Sequence, residues 1–190
     1  LRVLLALCSV HYANADVPAL HTAAATFIRV AREAGLGLSI GWSQYAMGWP
    51  LYQRNDLAGA ETCFRDLASI IPVVHGRVLL DGYTGLALTL LAQGRCDEAL
   101  AAVTALRDHV VERGMLAPAP VVDSLYQHIL LAHDPHAALA ADYRAPDKPV
   151  SIEFWEQPAL TYVRTVLARG APGDLAQASE LLAERRAEAT

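Results

Sequence analysis

Cysteine is scarce in this chain of 190 residues: Cys8, Cys63 and Cys96 lie far apart and include no CxxC pair. An odd, scattered set provides neither a disulfide framework nor a structural zinc site, and small buried thiols in a reducing cytosol are the expected state. Aromatic residues make up 7% and charged residues 18% of the chain, and the formal charge of −5 is spread without a basic stripe. Nothing in that pattern could grip nucleic-acid phosphates. No apolar run approaches the roughly 20 residues that a membrane-spanning helix needs. A GxxxxGK[ST] phosphate loop is missing, and Ser9, Ser39, Ser43, Ser69, Ser124, Ser151 and Ser179 all lack a GxSxG context. No enzyme activity, cofactor, direct nucleic-acid contact or membrane contact is therefore expected, and the expected location is cytoplasmic.

What the chain does have is leucine and alanine, which dominate its 54% of hydrophobic residues. They favour helix and let helices approach closely, whereas strand formers are a minority. An all-α fold follows. The most informative stretch runs from Gln44 to Pro72, with small residues at Gly48 and Ala60, an aromatic at Phe64 and a closing proline at Pro72. These sit at the spacings of the tetratricopeptide pattern, in which a small residue of one helix faces a small residue of the next. Arg54, Asn55 and Asp56 form the turn, with Asp56 placed to cap the second helix.

Similar turns recur at Ala15-Asp16-Val17, Asn55-Asp56-Leu57, Gly94-Arg95-Cys96, His133-Asp134-Pro135 and Gly173-Asp174-Leu175. Their spacing of about 39 to 40 residues is a repeat length. The expectation is one helical-repeat domain over residues 1–190, a tetratricopeptide-like superhelix of about five antiparallel helix pairs. The pairs are Leu1 to Ala13 with Asp16 to Ala34, Ser39 to Gln53 with Asp56 to Ile70, and Val78 to Gln93 with Cys96 to Arg113. Next come Pro120 to Ala132 with a truncated Pro135 to Asp142, then, after a loop containing Pro146 and Pro149, Trp155 to Ala168 with Asp174 to Ala187. Pro50 removes one amide donor inside its helix and predicts a local kink. Val3, Leu4 and Leu5 begin abruptly, as in a helix cut from a longer protein, and predict self-association through exposed terminal helices. Ala13-Asn14-Ala15 mimics a signal-peptidase site, but the segment falls in register with the later repeats.

Among side chains capable of chemistry, His128, His133, Asp134 and His136 form the densest cluster. Asp134-Pro135 is also an ordinary helix start, so no metal is assigned there. Cys63, next to Phe64 in a helix, is expected to be buried and inert.

The phrases GWPLYQRNDLAGAETCFRDL, GLALTLLAQGRCDEALAAV and FWEQPALTYVRTVLARGAPGDLAQASELL resemble the central helical-repeat region of large LuxR-type, MalT-like transcriptional regulators. The resemblance implies a non-catalytic sensor or interaction region that binds an effector or partner protein. Such a region relays the signal to nucleotide-switch and DNA-binding modules outside this chain. The alternative is a generic tetratricopeptide docking scaffold unrelated to transcription.

With Gly48 at the eighth position of a tetratricopeptide unit, Trp42, Tyr45, Trp49 and Tyr52 take positions that in this repeat class face the concave groove. The same register brings Arg2, Ser9 and Tyr12 to one side and Asp81 and Thr84 to the other. Aromatic area with a few polar handles suits a sugar-like small molecule or a peptide. The same stripe at helical spacing also fits a plain core.

Overall fold

Helix-favouring sequence broken at regular intervals by turn residues folds here into helices alone. The computed structural model describes residues 1–69, 77–115, 118–145 and 157–188, among which all regular structure is α-helical. The elements are α1 (Arg2–Ala13), α2 (Val17–Glu33), α3 (Gly37–Gln53), α4 (Leu57–Ser69), α5 (Arg77–Ala92), α6 (Cys96–Glu112), α7 (Ala119–His133), α8 (Pro135–Ala140), α9 (Pro158–Arg169) and α10 (Asp174–Glu188). The expected ends of α1 to α3, α5 to α8 and α10 and the expected start of α4 agree within two residues, while the expected end of α4, Ile70, lies outside the described residues. For α9 the expected start, Trp155, lies outside the described residues, as do Pro72, Pro146 and Pro149.

The chain forms two compact units, Leu1–Arg95 and Cys96–Thr190. In the first, each helix from α1 to α5 packs against the next, and α3 also touches α1 and α5. In the second, α6 packs on α7, α7 on α8 and α9, α8 on α9, and α9 on α10.

Three of the recurring turns share one backbone solution. After α1, Asp16 N–H donates to His11 O (2.9 Å) and Ala15 N–H to Tyr12 O (3.0 Å). After α3, Asp56 N–H donates to Leu51 O and Asn55 N–H to Tyr52 O, both at 2.9 Å. After α5, Arg95 N–H donates to Leu90 O (3.0 Å) and Gly94 N–H to Leu91 O (2.9 Å). This is the Schellman closure, which satisfies otherwise orphaned carbonyls and requires a left-handed residue. Ala15 (φ 54°), Asn55 (φ 61°) and Gly94 (φ 75°) hold that position. The turn before α8 has no such residue: Asp134 is extended at φ −142° and instead accepts from Ala137 N–H at 3.0 Å. Forward caps also come from Asp16 to Ala19 N–H (3.1 Å) and from Asp56 to Gly59 N–H (3.0 Å). At the last turn the carboxylate of Asp174 faces backward, accepting from Arg169 Nε at 3.1 Å and Ala171 N–H at 2.6 Å.

Phe64 is fully buried and anchors the first unit. It fills the room left by missing side chains at Gly48 on α3 and Gly85 on α5. A second close approach sets Leu67 against Gly82 of α5. Between α1, α2 and α3 lies a cluster of Cys8, Leu20, Ala24, Phe27 and Met47, with Leu4 and Leu5 packed on it. Burial raises the Cys8 and Cys63 thiols to about 11, with Asp66 adding to the effect at Cys63, so both are neutral core groups. Glu61 on α4 ties the unit together, accepting from Arg65 at 2.8 Å, Arg95 at 2.7 Å and Gln93 at 3.0 Å. Pro50 lies buried within α3, which stays helical on both sides of it. On the far side of α1, Val3, Leu7 and Val10 are exposed.

Candidate functional site

The aromatic residues of α3 are half-buried. Trp42 and Tyr45 pack against the buried Leu67 of α4, and Trp42 and Trp49 also lie on the cluster around Phe27 and Met47. The helical spacing of Trp42, Tyr45, Trp49 and Tyr52 places all four along α3 as the sequence pattern predicts.

Their rings form two groups. Trp49 stands between Tyr12 of α1, at 5.3 Å and 43°, and Tyr52, stacked at 5.9 Å with planes 5° apart. Trp42 meets Tyr45 edge to face at 6.0 Å and 83°. Such pairs are worth about 0.5–1.5 kcal/mol each beyond their area burial, which stiffens the strip against rotamer changes. Burial also holds the Tyr52 phenol above its ordinary value, so it remains a neutral hydroxyl.

The polar candidates are distributed differently. Arg2 and Ser9 are exposed on α1, and Ser9 Oγ donates to the carbonyl of Leu5 at 3.1 Å. Asp81 and Thr84 of α5 are buried, at 1% and 3% exposure. Two further buried polar side chains on α3 carried no signal in the sequence reading. Gln44, at 4% exposure, donates from Nε2 to Asp66 at 2.9 Å, and Ser43 donates to Ile40 O at 2.7 Å. Only the pairing across α3 and α4 reveals Gln44 as a structural donor, since a lone glutamine in an apolar helix has no distinctive spacing.

At the histidine cluster, Asp134 is engaged as a helix cap and His133 Nε2 lies 3.5 Å from Asp97 Oδ1. Among the described residues no three His, Cys, Asp or Glu side chains converge as metal ligands. No helix among them is long and apolar enough to cross a membrane.

No family model matches the chain, and no curated protein does. Two solved structures match its fold, both of a putative kinesin light chain from Podosopora anserina with nearly identical TPR-like repeats, one of them a single-site variant. Each is 16% identical to this chain, covers 98% of it and matches over 93% of its own length, with TM-scores of 0.60 and 0.59. At that identity the likeness carries the fold alone, and the fold is a tetratricopeptide-like helical repeat. Neither neighbour points to a transcriptional regulator.

Proposed function

We propose that this chain is a non-catalytic interaction scaffold and that the aromatic strip of the first unit docks an extended segment of a partner protein. The observation that carries this reading is the chain of rings from Tyr12 through Trp49 to Tyr52, half-buried or exposed and spanning two helices. Stacked rings offer a large contact area that loses little rotamer freedom on binding, the property expected of an interface anchor. Trp42 and Tyr45 extend the strip and Arg2 and Ser9 supply polar handles at the α1 side, whereas Asp81 and Thr84, buried on α5, present no surface to a partner.

Peptides selected from a displayed library for binding the full chain provide the test. Their affinity should fall at least about tenfold, or 1.4 kcal/mol, in Tyr12→Ala and Tyr52→Ala, with helicity and melting temperature retained. Selected peptides that bind both variants as well as the parent would defeat the assignment.

A second reading rests on the phrases GWPLYQRNDLAGAETCFRDL and GLALTLLAQGRCDEALAAV, which resemble regulator repeats. In it the same strip holds a small effector for a LuxR-type regulator, in the cytoplasm, and self-association through the exposed Val3, Leu7 and Val10 face accompanies the response. A competing small molecule that displaces the selected peptides would favour this version.

A further inference from the structure

A cavity of about 340 Å³ lies in the second unit, and its lining includes Arg107 of α6 and Tyr143 and Arg144 beyond α8. Its floor includes Gln127, 2% exposed and fixed by bonds from Nε2 to Ala138 O at 3.0 Å and Thr165 Oγ1 at 3.3 Å. Asp123 and Tyr126 of α7 complete the polar lining, and Pro120 and Ala141 add apolar wall.

The two arginines are positioned differently but each is braced. Arg107 sets its Nε 3.1 Å from Asp123 and its guanidinium 5.1 Å from the centre of the Tyr126 ring. Of its five N–H donors, those on the terminal nitrogens have no other partner among the described residues, and neither does the Tyr126 hydroxyl. Arg144 donates to the Tyr162 hydroxyl at 2.8 Å, pairs with Asp142 at 3.0 Å and lies 5.8 Å from the Tyr162 ring centre. Asp142 is 80% exposed and Arg144 59%, so water screens both charges of that pair.

We propose that this cavity binds a small organic monocarboxylate with a flat apolar body. The lining carries two guanidiniums against one carboxylate, and a guanidinium fork matches a carboxylate in two parallel hydrogen bonds. A cationic ligand would find Asp123 as the carboxylate in the lining, and that group is already paired with Arg107. The Tyr126 and Tyr143 rings with Pro120 and Ala141 take the apolar body. The volume is near the lower end of the range for ligand pockets, which suits a single ring better than a large cofactor. This site is independent of the aromatic strip, and the chemistry it recognises could also come from an acidic side chain of a peptide.

The test is to titrate the full chain, at constant ionic strength, with benzoate, benzamide, benzylammonium and a terminally blocked glutamate peptide, following tyrosine ring and backbone amide resonances. Benzoate should give saturable shifts at Tyr126 and Tyr143, with benzamide and benzylammonium at least about tenfold weaker. Arg107→Gln and Arg144→Gln should each weaken benzoate about tenfold at unchanged melting temperature, and Tyr126→Phe should weaken it a few-fold. Equal binding of benzoate and benzamide, or full binding retained in both arginine variants, overturns the proposal. Saturation by the glutamate peptide without any response to benzoate overturns it as well, by transferring the site to a peptide.

Discussion

The ring of Phe64 on α4 comes so near Gly48 on α3 that a β-carbon at position 48 would stand 2.5 Å from Phe64 Cζ. Gly85 on α5 approaches the same ring as closely, at 2.5 Å from Cε1. One side chain thus locks three helices, and the two absent side chains are what admit it. Gly48→Ala and Gly85→Ala should each cost about 1–3 kcal/mol by overpacking, and Phe64→Ala about 3–5 kcal/mol by leaving a cavity. Urea denaturation of the three variants checks this. An unshifted midpoint in Gly48→Ala would show that the ring can move aside.

Ala15 and Gly94 occupy equivalent left-handed turn positions, at φ 54° and 75°. Alanine is strained there and glycine is not. Ala15→Gly should therefore raise stability by about 0.5–1 kcal/mol, and Gly94→Ala should lower it by about 1 kcal/mol or more. Thermal melts of the two variants should move in opposite directions. A loss of stability in Ala15→Gly would contradict the strain argument.

Glu61 and Asp174 contribute to the response to acid. Desolvation pushes Glu61 up, but the hydrogen bonds from Arg65, Arg95 and Gln93 outweigh it, and the net value lies below the ordinary one. At Asp174 the Arg169 hydrogen bond is the main lowering cause, with the Ala171 amide adding to it. Both groups therefore contribute stability that is present above the usual carboxylate range and is lost as pH falls through the lowered folded values. Glu61→Gln and Asp174→Asn should flatten the fall in stability below about pH 4 and lower stability at neutral pH. Parallel acid-unfolding curves for parent and double variant would count against this.

Trp42 and Trp49 each rest on core residues while leaving part of the ring open. Their truncation to alanine should cost about 1.5–3 kcal/mol from lost apolar burial and should also remove peptide binding. Retained fold with lost binding supports the groove assignment, whereas unfolding of the chain means that these rings serve only as core. Tyr52→Ala, whose ring stacks on Trp49 at 5.9 Å, tests the binding role with less structural loss.

The helices and their turns were legible in the amino-acid sequence because their causes are local. Alanine and leucine favour the helix, Asp16, Asp56 and Asp134 cap within three residues, and the repeat spacing needs only counting. The close approach of Gly48 and Phe64 was legible as well, since the tetratricopeptide spacing names both residues. Gly82 and Gly85 were not, because a glycine pair within a helix says nothing about which ring lies against it until α4 and α5 are packed. The repeat register did place Tyr12 beside the α3 aromatics, 5.3 Å from Trp49, whereas the burial of Asp81 and Thr84, at 1% and 3%, depends on what surrounds α5. The cavity between Arg107 and Arg144 had no sequence signal at all, because its lining comes from segments separated by whole helices. Local hydrogen bonding and side-chain periodicity belong to the sequence, while burial, ring stacking and shared cavities are set by helix packing and exist only in the folded chain.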